Sequence, residues 1–583
     1  TMGADAARKL KKAIDDEQAA REENKRREYE YEFTDRSQIP GIIEAYKSTK
    51  KSTLIKLLIA SFFAVAVFFC ENISLFGVQF AGALDPAVYP VVYTMVGLQL
   101  LLFCCACAHE QILGGLAKLF TGHPCPESIT SALVVLSVIY SALVAIKVDG
   151  GYEPKLYNFP VALAVVFTLI LAYFNIKREM YSFNVISSKK PKFAVRRKHV
   201  DDITEYGGDA ETETNEILEV KRVSFVKSYF ARTYEDSSVV SATVAIIISL
   251  AIAASVLIGV YVGITSRNFM STIEAMFLTL VFAVPVSLLV TYSYPFYCAN
   301  RKAHEDNATI IGESSLEEYS DTSIVSVDEK IVFPTSEVRV QNIRIYNNNR
   351  IDSVLYYVSS VFERAGGPLA DMFKLSTVET GTSDDVTITE NAVGCLAATV
   401  DGHKLVFGRV KELDERGLKI NIEITAEDLY MAAENVVMYM FFDGTLAAKM
   451  FIRYGVEPGF PEIAQSLADN GVRLCIMTED PNVDDSIVNA RMPIEDLPAK
   501  VVMIPPESSS PESSGELDTG IVAYGSADSL LKTVTYCGKI LNVRKTNFSI
   551  AIVSLFVGVA VMLLLALLGK LSVVSSLLVV LYQ

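Results

Sequence analysis

Eight apolar runs set the pattern of the chain, at 54–70, 87–107, 130–147, 157–175, 238–265, 271–296, 547–568 and 571–582. A helix needs roughly 20 such residues to cross a bilayer, and most of the runs reach that length; the last falls short. The pattern predicts a multi-pass α-helical membrane domain of about eight spans, grouped four, two and two. Lysines and arginines gather before the first run (Lys47, Lys50, Lys51, Lys56) and after the fourth (Lys177, Arg178, Lys189, Lys190, Arg196, Arg197). They gather again after the sixth (Arg301, Lys302) and before the seventh (Lys539, Arg544, Lys545), whereas the loop between runs one and two has none. By the positive-inside rule the N-terminus and residues 176–237 and 297–546 face the cytoplasm of a cell membrane.

The polar stretches follow other periods. Residues 3–33, rich in Ala, Glu, Lys and Arg, have helix propensity but only a thin apolar stripe, as in a solvated helix. The stretch Val220–Tyr234 can form an amphipathic stalk helix. Ile324–Val327 reads as a short buried strand with Asp328 at its end, where an α/β sheet presents catalytic groups. A segment of alternating strand patterns follows, with one helix at Ile351–Phe373. Further on come a strand pair, a helix at Phe460–Asp469, a turn at Asn470-Gly471 and a buried strand at Val472–Met477. The run PPESSSPESSGE at 505–516 is a flexible linker by composition.

Composition narrows the function classes. Of the 583 residues, 51% are hydrophobic, none is tryptophan and 27 are tyrosine, so tyrosine would form any aromatic belt. The net charge of −16 argues against nucleic acid as a partner. Nine cysteines are scattered, and the one CxxC spacing, Cys104 to Cys107, lies in an apolar run without a second pair. Neither a disulfide framework nor a zinc finger is indicated. Cys104, Cys105, Cys107 and His109 are ligand types suited to Cu(I) or zinc, but side chains so close on one helix point apart. Small apolar filler is the preferred reading, and no metal site is expected there. The first residue is Thr1 and the last apolar run stops at Gln583, the expectation for a trimmed or partial chain. The charged first thirty-odd residues lack the apolar core of a cleavable signal peptide.

One stretch ties the membrane and polar parts together: an apolar span broken by Pro285, then ATIIGESSLEE, then SIVSVDEKIVFPTSE. A proline inside a membrane helix frees a backbone carbonyl, a place where polar cargo could be held. A kinked span leading into a strand tipped with aspartate resembles the fourth core helix and phosphorylation strand of a P-type ATPase, in particular of the heavy-metal-transporting branch. There the helix carries CPC, the polar segment reads like GILIKGGEALE and the strand ends in DKTGT. Here the same places read Val284-Pro285-Val286, Ile310-Ile311-Gly312-Glu313 and Asp328-Glu329-Lys330-Ile331-Val332. HEQILGGLAKLFTGHPCPES, with Gly114 and Gly115, resembles that branch's bent interfacial helix. AGGPLADMF resembles SEHPLA, with Gly366 and Gly367 in place of its glutamate and histidine. NAVGCLAATVDGHKLVFG resembles GKGVEARVDGRRVLVG and keeps Gly394 and Gly408. The segment ending in LCIMTED resembles KEAIAALKAAGIRVVMLTGD, with Glu479 for the glycine of TGD, and SADSLLKTVTYCGKILNVRKTNFSIAI looks like the stalk into the fifth core span. No TGE occurs in 176–237, and the 505–516 linker stands where GDGxND is expected.

The resemblance implies a helical membrane domain and a cytoplasmic haloacid-dehalogenase-like α/β phosphorylation domain with an inserted α+β nucleotide-domain relic, the actuator domain being absent or reduced. It implies a charged segment at 1–50, four spans in 51–175, an actuator remnant at 176–237 and two spans in 238–296. It implies a phosphorylation domain at 297–344 and 438–546, an insertion at 345–437 and two closing spans in 547–583. Asp328 takes the nucleophile position, Thr478 and Asp480 the TGD-like position, Pro368, Gly394 and Gly408 the nucleotide relic, and Pro285 the transport path. Phosphorylation of an aspartate needs donors for the phosphoryl oxygens and carboxylates for Mg²⁺. Losing one preorganised donor costs about 2.7–4 kcal/mol in the transition state, and here several are replaced. The expectation is a catalytically inactive pseudo-pump with a scaffold or regulatory role, needing no cofactor. Its partners would be the lipid bilayer and another membrane or cytoplasmic protein. The alternative is a divergent cation pump driven by ATP with Mg²⁺.

Overall fold

A computed structural model describes residues 32–76, 85–147, 154–208, 215–235, 237–376, 381–504 and 515–583. The expected helix at 3–33, apart from its last two residues, and most of the 505–516 linker lie outside the described residues. The chain forms two compact units. One comprises the chain up to Ser188 with Ser228–Glu318 and Tyr536–Gln583, the other Lys189–Lys227 with Tyr319–Thr535.

The first unit is helical: α1 (Ile39–Asn72), α2 (Pro90–Cys107), α3 (His109–Phe120), α4 (Pro126–Lys147), α5 (Asn158–Ile186), α6 (Tyr229–Thr233), α7 (Ser238–Ser266), α8 (Phe269–Ala283) and α9 (Leu288–Glu305). Most of a long helix at Ala527–Leu567 and a short one at Ser576–Tyr582 complete it. Among the described residues, 7 helical segments are long and apolar enough to cross a membrane, with α8 and α9 in one of them. The count is below the eight apolar runs because 571–582 yields only a 3-10 turn and a helix of 7 residues. Outward faces carry exposed Leu58, Phe62, Leu257 and Ile264, as lipid contact requires. Polar side chains inside the bundle pair with one another. Thr130 and Thr168 share a hydrogen bond of 2.8 Å, and Ser137 and Ser141 both donate to Asn158 Oδ1 at 3.0 Å. The Glu71 carboxylate accepts from the N–H groups of Asn158 (2.6 Å) and Phe159 (3.1 Å), which have no partner within α5.

Pro285 does more than kink its span. Val284 turns extended (φ −74°, ψ 121°), and the helix restarts at Leu288. Proline offers no N–H to the Val281 carbonyl. The Gln583 side-chain amide donates to that carbonyl instead, and to the Val284 carbonyl at 3.1 Å. Val284 and Val286 are buried around the break, so apolar packing fills the place read as a transport path.

The second unit holds two large sheets, apart from a parallel pair of short strands at Phe225–Lys227 and Glu516–Asp518. Its strands are β1 (Lys192–His199), β2 (Glu216–Val223), β3 (Ile324–Asp328), β4 (Val338–Ile345), β5 (Val386–Ala392), β6 (Cys395–Val400), β7 (His403–Gly408), β8 (Val436–Phe442), β9 (Thr445–Tyr454), β10 (Arg473–Thr478), β11 (Lys500–Met503) and β12 (Ile521–Tyr524). Its helices include α10 (Ile351–Ala365), α11 (Gly367–Ser376) and α12 (Phe460–Ala468). In the first sheet the order is β11-β10-β3-β2-β1-β12. Strands β11, β10, β3 and β2 are parallel, and β1 is antiparallel to β2 and β12. Ile324, Val325, Ser326 and Val327 are all buried, as an interior parallel strand demands. The second sheet is an antiparallel meander in the order β4-β9-β8-β7-β6-β5.

Five expectations change here. Residues 192–223, expected as a loop holding an actuator remnant, form a hairpin registered from Lys192↔Val223 to His199↔Glu216, and β2 continues into β3 through Leu218↔Val325. The first part of Val220–Tyr234 is therefore strand, not stalk helix, because Leu218 and Val220, both buried and two apart, share one face of the sheet. The insertion is wider than 345–437, since its meander needs β4, β8 and β9 as well. Residues 297–318 and 536–546, assigned to the α/β domain by the resemblance, belong to the helical unit. The helix read at Ile351–Phe373 is two helices parted at Gly366, whose φ is +91°.

Candidate functional site

Parallel strands of an α/β sheet open their carboxyl ends onto one crevice. Strands β3 and β10 are neighbours with Met477 opposite Asp328, so Asp328 and Glu329 lie beside Thr478, Glu479 and Asp480. Three of these residues, Asp328, Thr478 and Asp480, are the ones the resemblance puts at the nucleophile and TGD-like positions, and the structure brings them together.

Asp328 is exposed, and its Oδ1 accepts the Lys330 N–H at 2.8 Å, capping the helical turn Glu329–Val332. The Lys330 ammonium reaches Asp371 on α11 at 3.2 Å. The next carboxyl behaves differently. Glu329 is buried; it accepts the Glu479 N–H at 2.9 Å through Oε1 and the Thr478 hydroxyl through Oε2. Asp480 is also buried. Its Oδ1 accepts from Asn482 N at 2.9 Å and Nδ2 at 3.1 Å, and its Oδ2 from the Tyr454 hydroxyl at 2.6 Å. Burial pushes the Glu329 carboxyl well above its ordinary range, and the neighbouring Asp480 charge adds to this. Burial likewise raises Asp480 to about 6, against the lowering pull of its Tyr454 and Asn482 donors. Sequence reasoning found Glu329 only as an added charge, and it missed Tyr454 and Asn482; nothing local in the sequence marks the tyrosine.

The meander and its helices close over this crevice. Gly366 and Gly367, with φ of +91° and +82°, turn α10 into α11. A Cβ on Gly366 would run into the Glu479 carboxylate, and one on Gly367 would lie 3.0 Å from Glu329 Oε1 and 3.2 Å from Asp480 Cβ. Pro368 is buried in the first turn of α11. The Gly394 N–H is spent on the Pro481 carbonyl at 2.6 Å, and a Cβ on Gly408 would come within 3.0 Å of the Gly394 carbonyl. Asn391 donates to the Glu479 carbonyl at 3.0 Å, and Arg409 pairs with Asp484 at 2.7 Å. Of the glycines expected to approach a nucleotide, Gly394 is thus bonded to the 479–484 loop and Gly408 is packed against Gly394 and Leu413.

Within the helical unit, Cys104 is buried with its thiol 3.6 Å from the Ala60 carbonyl and 3.8 Å from that of Ala162. Cys105 is buried, Cys107 is half-buried and His109 is exposed beside Glu110. Among the described residues, no three His, Cys, Asp or Glu side chains converge as metal ligands.

No family model matches the chain, and no curated protein matches it. Among solved structures it is similar to a zinc-transporting PIB-type ATPase, at 12% identity and a TM-score of 0.42 over 90% of this chain and 98% of that one. It is similar to the N-domain of HMA6, a copper-transporting P-type ATPase, at 19% identity and a TM-score of 0.16 over 20% of this chain and 99% of that one. It is also similar to the catalytic CPx-ATPase domain CopB-B, at 14% identity and a TM-score of 0.20 over 35% of this chain and 69% of that one.

Proposed function

We propose that the chain is a P-type-ATPase-like membrane protein that does not transfer phosphate and acts as a scaffold or regulator for another membrane or cytoplasmic protein. Its N-terminus and α/β unit lie in the cytoplasm. One observation carries the reading: the Glu329 carboxyl takes up the Thr478 hydroxyl and the Glu479 N–H, donors beside Asp328 that an incoming phosphoryl group would use. The residues do not fit Mg²⁺ either. Glu329 and Asp480, two carboxyls on these strand ends, are buried and spent on protein donors. A metal ion also needs oxygens facing it.

The test uses the full chain in lipid nanodiscs with γ-labelled ATP, Mg²⁺ and Zn²⁺ or Cu⁺. No acid-stable phosphoprotein and no metal-stimulated hydrolysis above background are expected. Metal-stimulated labelling that Asp328→Asn abolishes would overturn the proposal and leave a working cation pump.

A further inference from the structure

The helical unit carries a half-open cavity of about 500 Å³, within the range of small-molecule sites. Carboxylates dominate the charge of its wall: Glu127, Glu179, Glu235 and Glu313 stand against Lys118 and Arg178. The Arg178 charge is already engaged, 3.1 Å from Glu313, which Arg544 approaches from the other side at 3.4 Å. Beside Lys118, the remaining charges of the wall, Glu127, Glu179 and Glu235, are carboxylates. Glu179 is itself buried, in the part of α5 that borders the cavity, where the Tyr234 hydroxyl reaches its Oε2 at 3.4 Å and the Tyr46 hydroxyl also donates to it. Carrying an ionisable group there is costly unless a charge pairs with it.

Two polar atoms on the wall point to the missing partner. Tyr292 is only 3% exposed, and its hydroxyl has no hydrogen-bond partner; the buried Gln111 Oε1 has none either. An amide oxygen can only accept, and a phenol can accept as well as donate. Together with the carboxylates they call for a ligand rich in N–H donors and positively charged. Tyr46, Phe230 and Tyr234 add aromatic faces to the same wall, surfaces that attract a cation. The wall does not suit a bare metal ion. No three candidate ligands converge among the described residues, and the volume is far larger than one ion fills.

From this geometry we infer that the cavity binds an organic ammonium ligand, with Glu127 and Glu179 taking the charge and Tyr292 and Gln111 accepting further N–H bonds. The inference rests on the helical unit only and stands whether or not Asp328 is ever phosphorylated.

The experiment measures binding of putrescine and spermidine to the full chain in phosphatidylcholine nanodiscs by calorimetry. Saturable one-site binding is expected, weakened about tenfold or more by Glu179→Gln, the loss of one charge-assisted contact. Tyr292→Phe, which removes only the hydroxyl, should weaken it several-fold and keeps the test informative if the Glu179 variant folds poorly. Discs doped with phosphatidylethanolamine separate the sources of the ammonium. Loss of diamine binding in those discs alone identifies a lipid headgroup as the occupant, and unchanged binding identifies a free amine. Absence of saturable binding in every disc, binding indifferent to both variants, or stoichiometric displacement by Zn²⁺ would each overturn the inference.

Discussion

Replacing Asp480 by asparagine should make the α/β unit more stable at neutral pH. In the folded chain the Asp480 carboxyl titrates at about 6 instead of 3.8. Between those values the folded form holds a proton that the unfolded form has released. Stability from this group is therefore full below pH 3.8 and falls as pH rises; above about 6 it stays lost. The difference corresponds to about 3 kcal/mol against the ionised folded state. Asparagine removes that term and keeps an oxygen for the Asn482 donors at 2.9 and 3.1 Å. Its Nδ2 takes the place of the oxygen that accepted from Tyr454, so that contact reverses, the amide donating to the tyrosine oxygen, and changes from charge-assisted to neutral, a loss of about 1 kcal/mol. The net gain is about 1–2 kcal/mol, a factor of ~5–30 in the closed-to-open ratio. A protein of several units has no single melting equilibrium, so the assay should read this unit locally. Cys475 on β10 is fully buried and serves as the probe: thiol labelling of the full chain at pH 7.5, resolved at the peptide level. The Asp480→Asn chain should label ~5–30-fold more slowly than the parent at the same pH. Faster labelling would refute the reasoning, because it would mean that ionised Asp480 has a favourable partner such as a bound cation.

Two further substitutions test the packing arguments. Gly366→Ala places a Cβ against the Glu479 carboxylate on a backbone (φ 91°, ψ −163°) that only glycine adopts readily, at a cost of about 1–3 kcal/mol. Labelling of Cys475 and the buried Cys395 should quicken about tenfold, and an unchanged rate would mean that the turn is not seated on the crevice. Gly115→Leu drives a Cβ to 2.6 Å from Ser131 Oγ and 2.7 Å from the Glu127 backbone, prising α3 from α4 at about 1–3 kcal/mol. Its readout is faster labelling of Cys125, whose thiol lies 3.5 Å from Ser128 Oγ.

What the sequence makes legible is what local pattern controls. Apolar length places the spans, and the buried run before Asp328 places that aspartate at a strand end. The helix at Phe460–Ala468 falls within one residue of its expected end because Phe460, Ile463, Ala464 and Leu467 share one face. Pro285 announces a disturbed helix, but the Gln583 amide that meets its orphaned carbonyl is almost three hundred residues away. The β1–β2 hairpin is hidden for the same reason. EILEVKRV is charged enough to read as loop or amphipathic helix, and only pairing with β3 makes it strand. Within the candidate site, Asp328 is legible as a strand-end residue, and Thr478 and Asp480 only through the resemblance of TED to TGD. The seating of Gly366 and Gly367 over Glu329 and Glu479 is a tertiary contact that no local period records.

The hairpin also dictates a schedule for biosynthesis. When β1 and β2 emerge from the ribosome, the strand that covers one edge of β2 is about a hundred residues from being made, since Leu218 pairs with Val325. At ~5–20 residues per second this edge waits on the order of 5–20 s. The partner of β1 on its other side comes last, with Lys192 meeting Tyr524. In that interval the chain must also insert the helices at Ser238–Ser266 and Phe269–Ala283. An open edge with Ile217, Leu218 and Val220 unburied is a template for pairing with other chains. A nascent polypeptide of this kind should depend on a holding chaperone, and the hairpin should be the segment the chaperone grips.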